Sequence, residues 1–117
     1  MKKIFHLSSC TTCQRILKEL GGAKDFELQD IKEENLQPEQ LDFLKNKVGS
    51  YEALFSRRAM KYKSMGLKDQ QLSEKDYRRL ILEEYTFLKR PVIVIGNEVF
   101  VGNAKKNIEA AKAKHRG

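Results

Sequence analysis

Cys10 and Cys13 are the only cysteines of the chain and lie three positions apart in LSSCTTCQRIL, residues 7–17. Three roles suit such a pair: half of a metal site, a redox couple, or two small buried hydrophobes. A structural zinc site wants about four protein ligands, and beyond the pair the chain offers only His6 and His115. With no second CxxC, no bound metal is expected. The redox reading has a mechanism. A cysteine in the first turn of a helix faces unpaired backbone N–H groups and the positive end of the helix dipole, and both favour thiolate over thiol. On this reading Cys10 attacks, and Cys13, one turn further on, resolves the adduct formed on Cys10. Packing alone stays open as the bland reading, because cysteine is among the most buried residue types.

This chemistry needs a strand that delivers the pair and a helix that begins at it. KKIFHL, residues 2–7, reads as the strand, and Ser8 or Ser9 offers a cap for the helix that follows. From Thr11 the apolar positions Ile16, Leu17 and Leu20 recur at helical spacing and stop at Gly21-Gly22, since glycine tolerates the positive φ of a helix end. Residues 25–31, with Phe26, Leu28 and Ile31, read as a second strand, which makes the opening a βαβ unit with a parallel pair. Pro38 at a first helical position, then Leu41, Phe43, Leu44 and Val48, predicts a helix ended by Gly49. A further helix is expected from Tyr51 towards Met65, closing at Gly66. Ser73 and Asp76 have capping-box spacing and open a helix carrying Tyr77, Leu80, Ile81 and Tyr85. Residues 91–95, PVIVI, and 99–101, VFV, predict a hairpin about Gly96-Asn97. A last helix follows Gly102 and Asn103, with Ile108, Ala110 and Ala111 towards the sheet and His115 in a frayed tail. The order predicts one mixed four-stranded sheet with flanking helices and a helical insertion between strands 2 and 3. A thioredoxin-like α/β fold matches it.

At 117 residues the chain suits one domain, 1–117. No segment nears the roughly 20 apolar residues of a membrane helix, and the N-terminus lacks the pattern of a secretory signal, so no membrane association and a cytoplasmic location are expected. There a structural disulfide is unusual. The 23 basic and 16 acidic residues give a net charge of +7, which attracts anions in general. Basic residues gather at 57–63, at Arg78-Arg79, at Lys89-Arg90 and in the tail from Lys105. No nucleic-acid motif accompanies them, and no direct nucleic-acid binding is expected. Arg57 and Arg58 read equally as surface charges or site groups, and Phe55, Tyr62 and Tyr85 read as packing.

IFHLSSCTTCQRIL, the central LFSRRAMKYKSMGL and the later KRPVIVIGNEVFVGN, in this order and spacing, resemble the ArsC/Spx group of thioredoxin-fold proteins. The resemblance covers nearly the whole chain. It implies Cys10 as nucleophile, a cis Pro91 beside it, and Arg90 at the active-site anion, with Thr11 and Thr12 between the cysteines. An arsenate reductase of this kind forms a thiol adduct and draws electrons from an external reductant, glutathione with glutaredoxin, or thioredoxin, with no cofactor bound. The substrate implied is a small oxyanion or thiol, with Arg58, Arg57, Pro91, Thr11 and Thr12 as the residues binding it. Aligned on Tyr62, Ser56 and Asn103 stand where those reductases carry arginines, and Arg90 corresponds. The Spx branch shares a CxxC with small residues between the cysteines and an arginine at Arg58. It implies instead a redox-switched regulator that binds the RNA polymerase α subunit.

Overall fold

The structure, a computed structural model, describes residues 1–116. Its chain forms two compact units, one of residues 1–34 with the chain from Arg90 onward and one of residues 35–89.

The first unit is built on the sheet. Strands β1 (Lys2–His6), β2 (Glu27–Asp30), β3 (Val92–Ile95) and β4 (Glu98–Val101) lie in the order β2-β1-β3-β4. β1 runs parallel to β2, with Ile4 opposite Leu28 and His6 opposite Asp30. It runs antiparallel to β3, with Phe5 opposite Val92, and β3 pairs antiparallel with β4. The expected mixed sheet is therefore present, and its central strands are the most apolar. Ile4, Phe5 and all of β3 are buried, as continuous Val/Ile runs are when neither sheet face meets water. The hairpin turns where Ile95 pairs with Glu98, and Gly96 takes φ 63°, a left-handed conformation that costs glycine nothing.

Helix α1 (Thr11–Glu19) packs Ile16, with Leu20 just past its end, into a core shared with Ile4, Ala23, Phe26, Ile93, Ile95, Ile108 and Ala111. Full burial of a side chain such as Ile16 contributes about 1.5–3 kcal/mol. Helix α5 (Lys105–Arg116) supplies Ile108 and Ala111 to that core. Ala110, expected to face the sheet, is exposed, since helical spacing carries it away from the stripe set by Ile108 and Ala111. The frayed tail is also corrected. His115 lies within α5, its ring 4.9 Å from that of Phe26 and its Nδ1 3.0 Å from Lys2 Nζ. Leu28, at 45 % exposure, is no core residue. Gln29 is buried instead and donates from Nε2 to the Glu34 carbonyl.

The second unit is the helical insertion. Helix α2 (Pro38–Val48) starts at its proline, with a capping box between Gln37 and Gln40. It ends at Gly49, whose φ of 102° lets its N–H reach the Lys45 carbonyl at 2.7 Å. The continuous helix expected over 51–65 does not form. A 3₁₀ turn at Glu52–Leu54 gives way to an extended Phe55, and only Met60–Ser64 is α-helical, as α3. Tertiary pairing overrides local propensity here. Phe55 bridges Leu88, Ser56 N–H donates to Phe87 O at 2.7 Å, and Lys89 N–H donates to Leu54 O at 2.8 Å. The Phe55 ring lies 4.9–5.0 Å from those of Tyr77 and Phe87. Helix α4 (Glu74–Glu83) carries the expected box, with Ser73 accepting from Asp76 N–H and the Asp76 side chain accepting from Ser73 N–H. Tyr77, Leu80 and Ile81 are buried in it, and Tyr85 falls in the following 3₁₀ turn.

Candidate active site

The site begins where β1 hands over to α1. Leu7 is buried, Ser8 and Ser9 turn in the open, and the Cys10 N–H closes the turn on the Leu7 carbonyl at 3.0 Å. Neither serine caps the helix. Cys10 itself is the N-cap residue, in an extended conformation with φ −89° and ψ 115° and without a side-chain hydrogen bond of the capping kind. The N–H groups of Thr12 and Cys13 act on the sulfur from the start of α1, and the Cys10 carbonyl accepts from Gln14 N–H at 3.1 Å.

Both cysteines are free thiols, Cys10 partly exposed and Cys13 fully buried. Their chemistry diverges. For Cys10, partial burial works to raise the thiol, but it is outweighed by the Cys13 N–H, the Cys13 thiol, the Thr12 N–H and the charge of Arg90. The balance lies below the ordinary thiol value. Cys13 is pushed up to about 11, first by burial and then by the negative charge and hydrogen bond of Cys10. A protonated Cys13 thus donates to a thiolate on Cys10, and the outer sulfur is the one that meets solvent.

Sheet register brings the second element of the site to the first. β1 ends towards Cys10 and β3 runs antiparallel to it, so the start of β3 lies at the same end of the sheet. Arg90, half-buried, and Pro91 immediately precede Val92 there. The Arg90–Pro91 peptide is cis, and the Pro91 carbonyl accepts from Gly102 N–H at 2.9 Å. Arg90 acts on both cysteines through its charge. Thr11 is exposed and Thr12 half-buried, and Thr12 contributes through its backbone N–H.

Arg57 and Arg58 belong to the second unit. Arg57 Nη2 donates to Glu52 Oε2 at 2.7 Å and to the Tyr77 hydroxyl at 3.0 Å, with the guanidinium over the Tyr77 ring. Arg58 is exposed, and its N–H donates to Ser56 Oγ at 3.4 Å. Asn103 lines an open cavity of about 280 Å³ with Arg15, Glu19, Lys105, Ile108 and Glu109. Among the described residues, no group of three or more His, Cys, Asp or Glu is placed to hold a metal ion, and no helix is long and apolar enough to cross a membrane.

Two residues that sequence reasoning passed over hold the turn before Cys10. Ser8 Oγ donates to Asp30 Oδ2 at 2.5 Å, and Gln14 Nε2 donates to the Ser8 carbonyl at 2.5 Å. Asp30 stands opposite His6 in the pairing of β1 with β2, a register that no local sequence pattern gives. Gln14 has no local signal either.

Comparison with known proteins bears on the fold and on the family. An arsenate reductase from Vibrio cholerae superposes with a TM-score of 0.79 at 20% identity, over 93% of this chain and 95% of that one. A protein from Staphylococcus aureus gives 0.76 at 24% identity over 94% and 97%. An arsenate reductase (ArsC) related protein from Brucella melitensis gives 0.71 at 24% identity over 93% and 92%. These likenesses establish the shared thioredoxin-like fold. The chain has no match among the curated proteins. The ArsC family model, however, matches residues 5–111, from within β1 through both units and into α5, and on that continuous match the chain belongs to the ArsC family.

Proposed function

We propose that the protein is a thiol oxidoreductase in which Cys10 is the nucleophile and Cys13 the resolving thiol. The observation that carries this reading is the asymmetry of the pair. The thiolate form of the partly exposed sulfur is favoured by the Cys13 and Thr12 N–H groups, the Cys13 thiol and Arg90, while its buried neighbour keeps a proton.

For a disulfide substrate, the Cys10 thiolate displaces one thiolate and forms a mixed disulfide. Cys13 then loses its proton to the leaving thiolate and attacks the Cys10 sulfur. The second substrate thiolate departs, and the protein is left with a Cys10–Cys13 disulfide. Two electrons pass from the protein to the substrate. For arsenate, the Cys10 thiolate displaces a hydroxyl group from arsenic, and that group takes a proton from solvent and leaves as water. Attack of Cys13 on the Cys10 sulfur then releases arsenic two electrons richer, as arsenite. In either case an external thiol reductant, glutathione with glutaredoxin or thioredoxin, restores both thiols. Arg90 suits the anion because charge-assisted donors bind an oxyanion and favour the thiolate at once. Of the two other arginines assigned to the substrate by the resemblance, Arg58 is the better candidate, since Arg57 is committed to Glu52 and Tyr77. The family match across both units supports reading 1–117 as one domain, and the expected setting is the cytoplasm.

The test is turnover. Reduced protein is incubated with arsenate, glutathione and glutaredoxin, and NADPH loss is followed through glutathione reductase. The expected result is turnover abolished by Cys10→Ser. If arsenate is inert but a small disulfide is reduced in a Cys10-dependent way, Ser56 and Asn103 mark the loss of arsenate chemistry. Activity that survives Cys10→Ser removes the reading.

A further inference from the structure

The attacking thiol sits at the end of a turn with few apolar anchors, since Ser8 and Ser9 are exposed and Cys10 is only partly covered. The favourable N–H contacts to its sulfur depend on where that turn ends relative to α1. One residue of the turn is gripped from two directions. Ser8 Oγ donates to Asp30 Oδ2 at 2.5 Å, while the Ser8 carbonyl accepts from Gln14 Nε2 at 2.5 Å. Asp30 is itself well fixed. It ends β2 in register with His6, its Oδ1 accepts from Lys32 N–H at 3.2 Å, and its carbonyl accepts from the N–H groups of Glu33 and Glu34. The Ser8 hydroxyl is the largest influence holding its carboxyl below the usual range, with His6 adding a weaker attraction.

We infer that Asp30 is a positioning residue for Cys10: through the Ser8 hydroxyl it sets the end of the β1–α1 turn, and so the alignment of the Cys10 sulfur with the N–H groups of Thr12 and Cys13. The inference rests on the proposed role of Cys10 as the attacking thiol. Two signs separate it from simpler readings. As a bare negative charge, Asp30 opposes a nearby thiolate, so removing it raises the thiolate fraction. As a positioning group it favours the thiolate, and removing it lowers that fraction. An exposed hydrogen bond contributes little to global stability, so the effect belongs in the thiol and not in the melting temperature.

The experiment is a pH titration of thiolate absorbance in the full chain, with Cys13→Ser throughout so that one thiol reports. Asp30→Asn keeps an acceptor oxygen for Ser8 and removes the charge, whereas Asp30→Ala removes both. The alanine variant is expected to lose roughly fivefold in thiolate at neutral pH, the scale of one hydrogen bond, and the asparagine variant to titrate like its parent. Ser8→Ala should lower the thiolate fraction as Asp30→Ala does, and the double variant should fall short of the sum of the two, because both break the hydroxyl–carboxylate link. If both Asp30 variants gain thiolate equally, Asp30 is only a charge and the inference is overturned. It is equally overturned if Asp30→Ala melts at a lower temperature with the titration unmoved. A parent that titrates as an ordinary thiol refutes attack by Cys10 itself and takes this inference with it, so the two failures are told apart by the parent curve.

Discussion

The two cysteines differ in environment more than in position. One turn apart on a single helix, Cys10 meets N–H groups and an arginine, and Cys13 meets the core. The depressed thiol makes a prediction about stability. A folded-state value below the unfolded one, about 8.5 for a free thiol, stabilises the folded protein fully above that pH. The contribution fades as pH falls through the folded value. With Cys13→Ser as background, which keeps a donor beside the sulfur, urea stability is expected to exceed that of the doubly substituted Cys10→Ser/Cys13→Ser protein by a margin that grows as pH rises towards 8.5 and then levels off. Parallel curves would mean that α1 and Arg90 do nothing for the thiolate. In native protein Cys13 opposes this trend at higher pH, since its value of about 11 lies above the unfolded one. The placement of the pair at the start of α1 was legible in the sequence, because its spacing and its strand-to-helix context are local signals. The Ser8 link to Asp30 was not, because it joins residues 22 positions apart through a register that no local pattern reveals.

At the scale of elements, the best-signalled pieces formed as expected: Pro38 opened α2, the Ser73 box opened α4, and Gly96 turned the hairpin. Each signal is chemical and local, a fixed φ, a satisfied N–H, or a tolerated left-handed residue. The failure over 51–65 is equally instructive. Its apolar residues do recur at helical spacing, yet Phe55 gains more from an extended backbone that places its ring among Tyr62, Tyr77 and Phe87 and pairs it with Leu88. If that cluster dictates the break, Phe55→Ala should be costly. Phe55 is fully buried, and truncations of this kind destabilise by about 3–5 kcal/mol. Chemical denaturation is expected to show a loss of that size. A loss below about 1 kcal/mol, typical of a surface substitution, would mean that the bridge to Leu88 holds the segment without the ring.

Over the whole molecule, the excess of cations sets how the fold meets acid. The chain carries +7 at neutral pH, and protonating carboxylates raises that charge further, so self-repulsion and the loss of ion pairs act in the same direction. Asp42 shows the second effect. Arg78 donates to it at 2.9 Å and 3.2 Å and the Tyr51 hydroxyl at 2.5 Å, and these contacts, led by Arg78, hold its carboxyl below the usual range. Asp76 and Glu84 are lowered in the same sense by their own donors. For each, the contribution is full above the unfolded value of about 4 and is lost as pH falls through the folded value. Stability is therefore expected to hold to about pH 5 and fall below about pH 4. Asp42→Asn should lower stability at neutral pH and converge on the wild type in acid, because both then lack the charged partner of Arg78. Added salt, which screens exposed repulsion over about 10 Å at 0.1 M, should recover part of the acid loss in both proteins. Urea titrations from pH 3 to 7 decide the matter. A constant gap between the two curves assigns the Asp42 contribution to neutral hydrogen bonds that survive protonation, and coincident curves at every pH assign the acid sensitivity to net charge alone.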